Sequence, residues 1–176
     1  MESTNKSNSI NLGLYLGGIL SLIVVLIYAV NLDLFIEWWL GILLFVLVVA
    51  YGVVAANKAK KNGGGFISFK GAFIQYFITI AVGTFIGTIV SVAIFAVIDP
   101  DAATYLNEQI LILSKTTMER FGAPQEVITT ALEEASKKDN FSIGMQLQSY
   151  VFRLAFYAIV GLIVALIVKK TNTSEA

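Results

Sequence analysis

Four long apolar runs, separated by two short polar links and one longer polar insert, set the pattern of this chain. The first run, residues 10–30, carries no charge, and as a helix it reaches about 31 Å, close to the hydrocarbon thickness of a bilayer. The second extends from Trp38 to Ala56 and the third from Gly71 to Ile98. The fourth begins within Ser142 to Tyr150 and runs to Val168. Each is long enough to cross a membrane. The third would reach about 42 Å if wholly helical, so tilting or projection beyond the hydrocarbon is expected. Lys6 ahead of the first run raises the possibility of a cleaved signal peptide. That run outlasts an h-region of about 7 to 15 residues, and Ala29-Val30-Asn31 lacks the small-residue cleavage pattern, so a retained helix is expected.

The insert has its own period. Asp99-Pro100-Asp101 is a helix start: Asp99 caps, Pro100 suits the first helical position and Asp101 favours the positive end of the dipole. Arg120 and Gly122 close that helix, and Leu106, Ile110, Leu113 and Phe121 fall near one face. A second helix after Pro124 carries Val127, Ile128, Ala131, Leu132 and Ala135 as its stripe. The favoured reading is that the two stripes pack on each other as a hairpin; lying on the membrane surface or receiving a partner are the alternatives.

The expected architecture is therefore all-α: a four-helix transmembrane bundle with an extracytoplasmic amphipathic helical hairpin between spans three and four. It divides into a cytoplasmic N-terminal tail (1–9), spans one to three (10–98), the insert (99–141), span four (142–168) and a cytoplasmic tail (169–176). Charge placement orients it. Lys58, Lys60, Lys61 and Lys70 lie between spans two and three, and Lys169-Lys170 follow span four. The first link has Asp33 and Glu37, no basic residue, and Trp38-Trp39 suited to an interfacial belt. Both termini are expected in the cytoplasm and the insert outside.

Within the runs, small and polar residues recur every four positions. Ser9, Gly13, Gly17 and Ser21 form one series and Gln75, Thr79, Gly83, Gly87 and Ser91 another, with Gly161 and Ala165, and Gly52 and Ala56, as shorter pairs. Such stripes let helix backbones approach closely in lipid, and helix packing is the expected role. Arg153 is the one basic residue inside a run. Three fates stand open to it: snorkelling to the outer interface, an ion pair with Asp99, Glu37 or Asp33, or an ion or substrate role.

Composition narrows the chemistry. The chain is 57% hydrophobic and 14% charged, with 12 basic and 12 acidic residues and neither histidine nor cysteine. Zero net charge gives no reason to expect nucleic acid. Disulfides, thiolate nucleophiles and ordinary zinc sites are excluded, and no serine in a run has a base beside it, so no catalytic residue, metal site or cofactor is expected. Between Asp99 and Phe141 stand eight acids against four basic residues. Glu133-Glu134 and Asp139 are close in sequence, but scattered acids on helix surfaces read as a solvated face.

The Gly64-Gly65-Phe66-Ile67-Ser68-Phe69 segment leading to Ala72-Phe73, then Met118-Glu119-Arg120-Phe121-Gly122-Ala123-Pro124 and Glu133-Glu134, carry a resemblance. With the lysine pair after span four, the chain over about Ser9 to Lys170 resembles an uncharacterised group of small four-pass bacterial membrane proteins, the domain of unknown function 4199 family. The resemblance implies a membrane protein of Gram-negative bacteria and brings no catalytic or binding residue with it. The leading expectation is a non-enzymatic inner-membrane protein that uses the hairpin or its packing seams. Its contacts would be the lipid bilayer, a second copy of itself or another membrane protein. The alternative is a small oligomeric transporter or channel with a polar route near Gln75 and Arg153.

Overall fold

The computed structural model describes residues 2–170 of the chain. They form α1 (Glu2–Val30), a 3-10 turn (Leu32–Ile36), α2 (Trp38–Asn62), α3 (Phe69–Val92) continued by a π turn (Ala93–Ile98), α4 (Pro100–Arg120), α5 (Gln125–Ser136) and α6 (Ile143–Val168). Four helical stretches are long and apolar enough to cross a membrane: Thr4–Val30, Trp38–Asn62, Phe69–Ile98 and Ile143–Val168. The chain is a multi-pass membrane protein.

The outer surface is as apolar as the interior, unlike that of a water-soluble domain. Ser9, Gln75, Thr79, Thr84, Thr88 and Gln146 are buried, whereas Leu22, Leu43, Phe152, Ile163 and Ile167 stand exposed on the outer surface of the spans. Lipid tails accept leucine and isoleucine as readily as a protein core does, so many large apolar side chains face outward, while small and hydroxyl residues join Leu16, Val48, Tyr76 and Ile80 in the helix contacts.

α3 is the central helix. It packs against α1, α2 and α6. Its tightest neighbour is α1, which runs parallel to it, and the two glycine series face each other. A Cβ on Gly13 would lie 2.8 Å from Val82 Cβ, and one on Gly17 2.8 Å from Ile86 Cβ. In return Leu16 fills the space at Gly83, where a Cβ would lie 2.6 Å from it, and Leu20 lies 3.2 Å from the corresponding point on Gly87. Each helix thus receives the branched side chains of the other in its glycine notches. At the start of this seam the Ser9 hydroxyl donates to Gln75 Oε1 at 2.6 Å, and Thr79 Oγ1 lies 3.0 Å from the carbonyl oxygens of both Ser9 and Gln75.

On its other side α3 presents Tyr76. Its fully buried ring is gripped by Gly52 of α2 and Gly161 of α6, where a Cβ would come within 2.5 Å and 2.6 Å of ring carbons. Ala56, Ala72, Ile80 and Ala165 complete this cluster.

The helix ends bearing the lysines are tied together. Lys60 Nζ donates to the terminal Val168 carbonyl of α6 at 2.8 Å, Asn62 donates to Asn5 at 2.8 Å, and Ile67 and Lys170 form an antiparallel bridge. A lysine on the carbonyl end of a helix answers both an unpaired acceptor and the negative end of the dipole. α1 begins earlier than the first apolar run and α2 ends later, because Asn5 and Asn57–Asn62 continue the helices into the polar zone.

At the opposite end the third span departs from a straight α-helix. The Asp99 amide donates to the Ile94 carbonyl at 2.7 Å, a π turn that widens the last turn of the span. Phe95 within it is buried against Tyr28, Phe35 and Phe141, with ring centroids 6.3, 5.3 and 5.0 Å away. Ala102, Ala103 and Leu106 of α4 join this second cluster.

α4 starts as the sequence indicates, with Asp99 accepting from the Ala102 amide at 3.0 Å and Pro100 in the first turn. It closes on Gly122, whose positive φ of 72° lets the Ala123 amide reach the Met118 carbonyl. The apolar stripes are only partly used. Leu106 is buried under the helix ends and Ile128 between α4 and α5, but Leu113 and Val127 are exposed and Phe121 is 87% exposed. α4 and α5 do contact each other, with Ile110, Ala131, Leu132 and Ala135 half-buried beside Ile128, while Leu113, Val127 and Phe121 lie off that contact. Only the first half of α4 leans on the spans, and the 12-residue α5 is too short to cover the rest.

Candidate functional site

Arg153 sits one helix turn before Tyr157 on α6, a helix of Ile143–Val168 that is otherwise uncharged. By helix rise it lies about 15 Å from the Ile143 end. Arg153 is exposed, and its side chain stands at the edge of a cavity of about 220 Å³ lined by all four spans and Phe35 of the first link. α1 contributes Leu20, Val24 and Ile27, α2 contributes Leu44 and Val48, and α3 contributes Thr84, Gly87, Thr88 and Ser91. The wall is thus mainly aliphatic, with one row of hydroxyls and one cation.

The hydroxyl row follows from helix spacing: residues 84, 88 and 91 share a face of α3. Thr84 and Thr88 donate to the carbonyls four residues back, at 2.7 and 2.9 Å, which leaves their oxygens free to accept. Arg153 Nη2 uses one of them, donating to Thr88 Oγ1 across a long 3.4 Å. That is its polar contact among the described residues, and it engages one of the five N–H groups of the guanidinium.

The acids expected to neutralise Arg153 are engaged elsewhere. Asp99 accepts from the Tyr28 hydroxyl at 2.8 Å and from the Ala102 amide at 3.0 Å, Asp33 accepts from the Tyr105 hydroxyl at 2.6 Å, and Glu37 is exposed at the start of α2. Depth is the reason. Leu44 and Val48, on the cavity wall with Arg153, come about 10 and 16 Å after Glu37 along α2, so the acids ring the helix ends while the arginine lies below them.

The structure also separates Gln75 from this cavity. Gln75 is buried against Ser9 near the lysine-bearing end, about 20 Å along α3 from Thr88. Of the two polar and glycine series, Ser9 to Gly17 and Gln75 to Gly83 line the α1–α3 contact, Gly87 and Ser91 reach the cavity, and Gly161 and Ala165 pack at the α3–α6 contact around Tyr76. Ser21, last of the first series, holds a buried hydroxyl without a hydrogen-bond partner among the described residues. Thr84 and Thr88 were not singled out by sequence, although their four-residue spacing ahead of Ser91 was the available signal. The aromatic clamp on Tyr76 had none, since its two glycines come from different helices.

A second feature lies at the end of the spans. Asp99 and Asp33 fix the root of α4 through Tyr28 and Tyr105. The Ala102 amide first, and the Tyr28 hydroxyl second, hold the Asp99 carboxyl below the usual carboxylate range, while the neighbouring Asp33 carboxylate pushes the Tyr105 hydroxyl up. The turn leading from the insert back to α6 is pinned by Asn107, which donates to Asp139 at 2.9 Å and accepts from Asn140 Nδ2 at 3.0 Å. The far end of the insert carries exposed Ile112, Leu113, Phe121 and Val127.

No curated protein and no solved structure matches the chain. A family model described as a protein of unknown function, DUF4199, matches residues 11–170, which takes in most of the first span, the other three and the whole insert. The chain belongs to the DUF4199 family.

Proposed function

We propose that this protein is a non-enzymatic component of the bacterial inner membrane that works by contact, with its helical insert on the extracytoplasmic side engaging another membrane protein or a second copy of itself. The observation that carries this reading is Phe121, a large aromatic side chain 87% exposed at the turn between α4 and α5. The insert is rooted by two tyrosine–carboxylate hydrogen bonds and by buried Leu106, yet its tip displays apolar surface. A firm base and an apolar tip suit a docking element. The orientation rests on the gathering of Lys58, Lys60, Lys61, Lys70, Lys169 and Lys170 at the other end, which favours a cytoplasmic address for that end and for both termini. The absence of histidine and cysteine from the sequence, and the use of Ser9, Gln75 and Thr79 in helix-to-helix hydrogen bonds, favour a non-catalytic role. The distance between Gln75 and the Arg153 cavity speaks against one polar route joining them.

A photoreactive side chain at position 121, illuminated in native membranes, tests the reading. A crosslinked species of defined mass is expected from position 121 and not from lipid-facing position 163, and it should be lost when Leu113 and Val127 are changed to serine. Recovery of uncrosslinked monomer alone would overturn it.

A further inference from the structure

Arg153 presents an unsolved charge balance. A guanidinium cannot shed its proton in a protein, and a charge within the hydrocarbon costs at least a few kcal/mol unless an anion or water meets it. Its contact among the described residues is a single neutral hydroxyl at 3.4 Å, and the three nearest candidate acids are bonded to tyrosines, to a helix N-terminus or exposed at a helix start. The exposed guanidinium can reach toward the outer interface, and the cavity runs the same way, from Leu44 and Val48, about 9 and 15 Å beneath Trp38 by helix rise, up to Phe35 of the first link. The compensating charge therefore comes from outside the chain. The lining states what kind of molecule brings it. Beside the cation stands the Ser91 hydroxyl, able to donate to a planar or tetrahedral oxyanion together with the free N–H groups of the guanidinium, while Thr84 and Thr88 spend their protons on backbone carbonyls and most of the remaining wall is apolar. A cavity of about 220 Å³ is too small for a whole phospholipid and large enough for a headgroup oxyanion with the first part of a chain.

We propose that the cavity beside Arg153 is a binding site for an anionic amphiphile, whose carboxylate or phosphate is held by Arg153 and the Ser91 hydroxyl of α3 while its apolar chain lies along α1 and α2 or out into the bilayer. The site is independent of any partner at the insert tip. It predicts selectivity by headgroup charge on an unchanged chain, because a neutral headgroup forfeits the charge-assisted pairing with arginine.

The test uses the full chain in phosphatidylcholine nanodiscs, with radiolabelled palmitate, palmityl alcohol and palmitoyl lysophosphatidic acid as probes. Saturable binding of the palmitate or the lysophosphatidic acid, at least about tenfold tighter than that of the alcohol, is the expected result. Arg153→Gln should remove that selectivity and leave the residual binding of the alcohol unchanged. Leu44→Trp, which fills the aliphatic wall without touching the charge, should block all three probes. Competition by millimolar inorganic phosphate would assign the site to free anions and overturn the amphiphile. Equal binding of acid and alcohol by the unaltered protein, or no saturable binding of any probe, would overturn the proposal whether or not either variant folds.

Discussion

The Tyr28 hydroxyl donates to Asp99 Oδ2 at 2.8 Å, joining the last turn of the first span to the residue that caps the insert. Because Asp99 also accepts from the Ala102 amide, one carboxylate fixes both the start of α4 and its attachment to α1. Its carboxyl is held below the ordinary carboxylate range in the folded protein, so its contribution to stability is complete above the unfolded value of about 4 and fades as the pH falls through the folded value. Protection from hydrogen exchange across residues 99–106, taken relative to the intrinsic rate at each pH, should fall on acidification below about pH 4. Asp99→Asn should bring the same loss of protection at neutral pH, and Tyr28→Phe a smaller part of it. An equal loss of protection in α5 would show that the insert opens as a whole and not from its root.

Gly17 and Gly18 are adjacent and face different worlds. A Cβ on Gly17 would sit 2.8 Å from Ile86 Cβ, whereas nothing lies within 4 Å of one on Gly18. Gly17→Val should destabilise the protein by about 1–3 kcal/mol, seen as a lower thermal midpoint in detergent, while Gly18→Val leaves the midpoint unchanged. Equal effects would mean that the α1–α3 seam is not the close contact described.

Tyr76 combines a tight fit with an unpartnered group. Its ring fills the gap between Gly52 and Gly161, but its buried hydroxyl has no hydrogen-bond partner among the described residues. Tyr76→Phe should therefore be neutral or stabilising by up to about 1 kcal/mol, since it removes a polar group without a partner. Gly52→Ala should destabilise, because the ring that would have to yield is backed by Gly161. Thermal unfolding of the two variants checks both signs, and a clear loss in Tyr76→Phe would reveal a bonded hydroxyl.

Hydropathy alone made the number and rough extent of the spans legible, because only an apolar solvent accommodates so many aliphatic side chains in runs of that length. The cap at Asp99 and the stop at Gly122 were equally visible, since capping is a local matter of backbone amides and φ angles. The four-residue recurrence of Gly13 with Gly17 and of Gly83 with Gly87 marked two helix faces as close-packing surfaces. Their reciprocal fit was beyond the sequence: nothing in either series states that the other is its mate.

What the tertiary structure decided are the relations between distant segments. It set α3 at the centre, closed Gly52 and Gly161 on Tyr76, and widened the third span into a π turn that turns Phe95 toward Tyr28. It left Phe121 outside the packed stripe and placed Arg153 with Thr88 and not with an acid. Solvent preference is a property that each residue carries along the chain, so the membrane helices can be read one at a time. Which notch receives which side chain, and which charge is left without an opposite, depends on three-dimensional neighbours that no local pattern encodes.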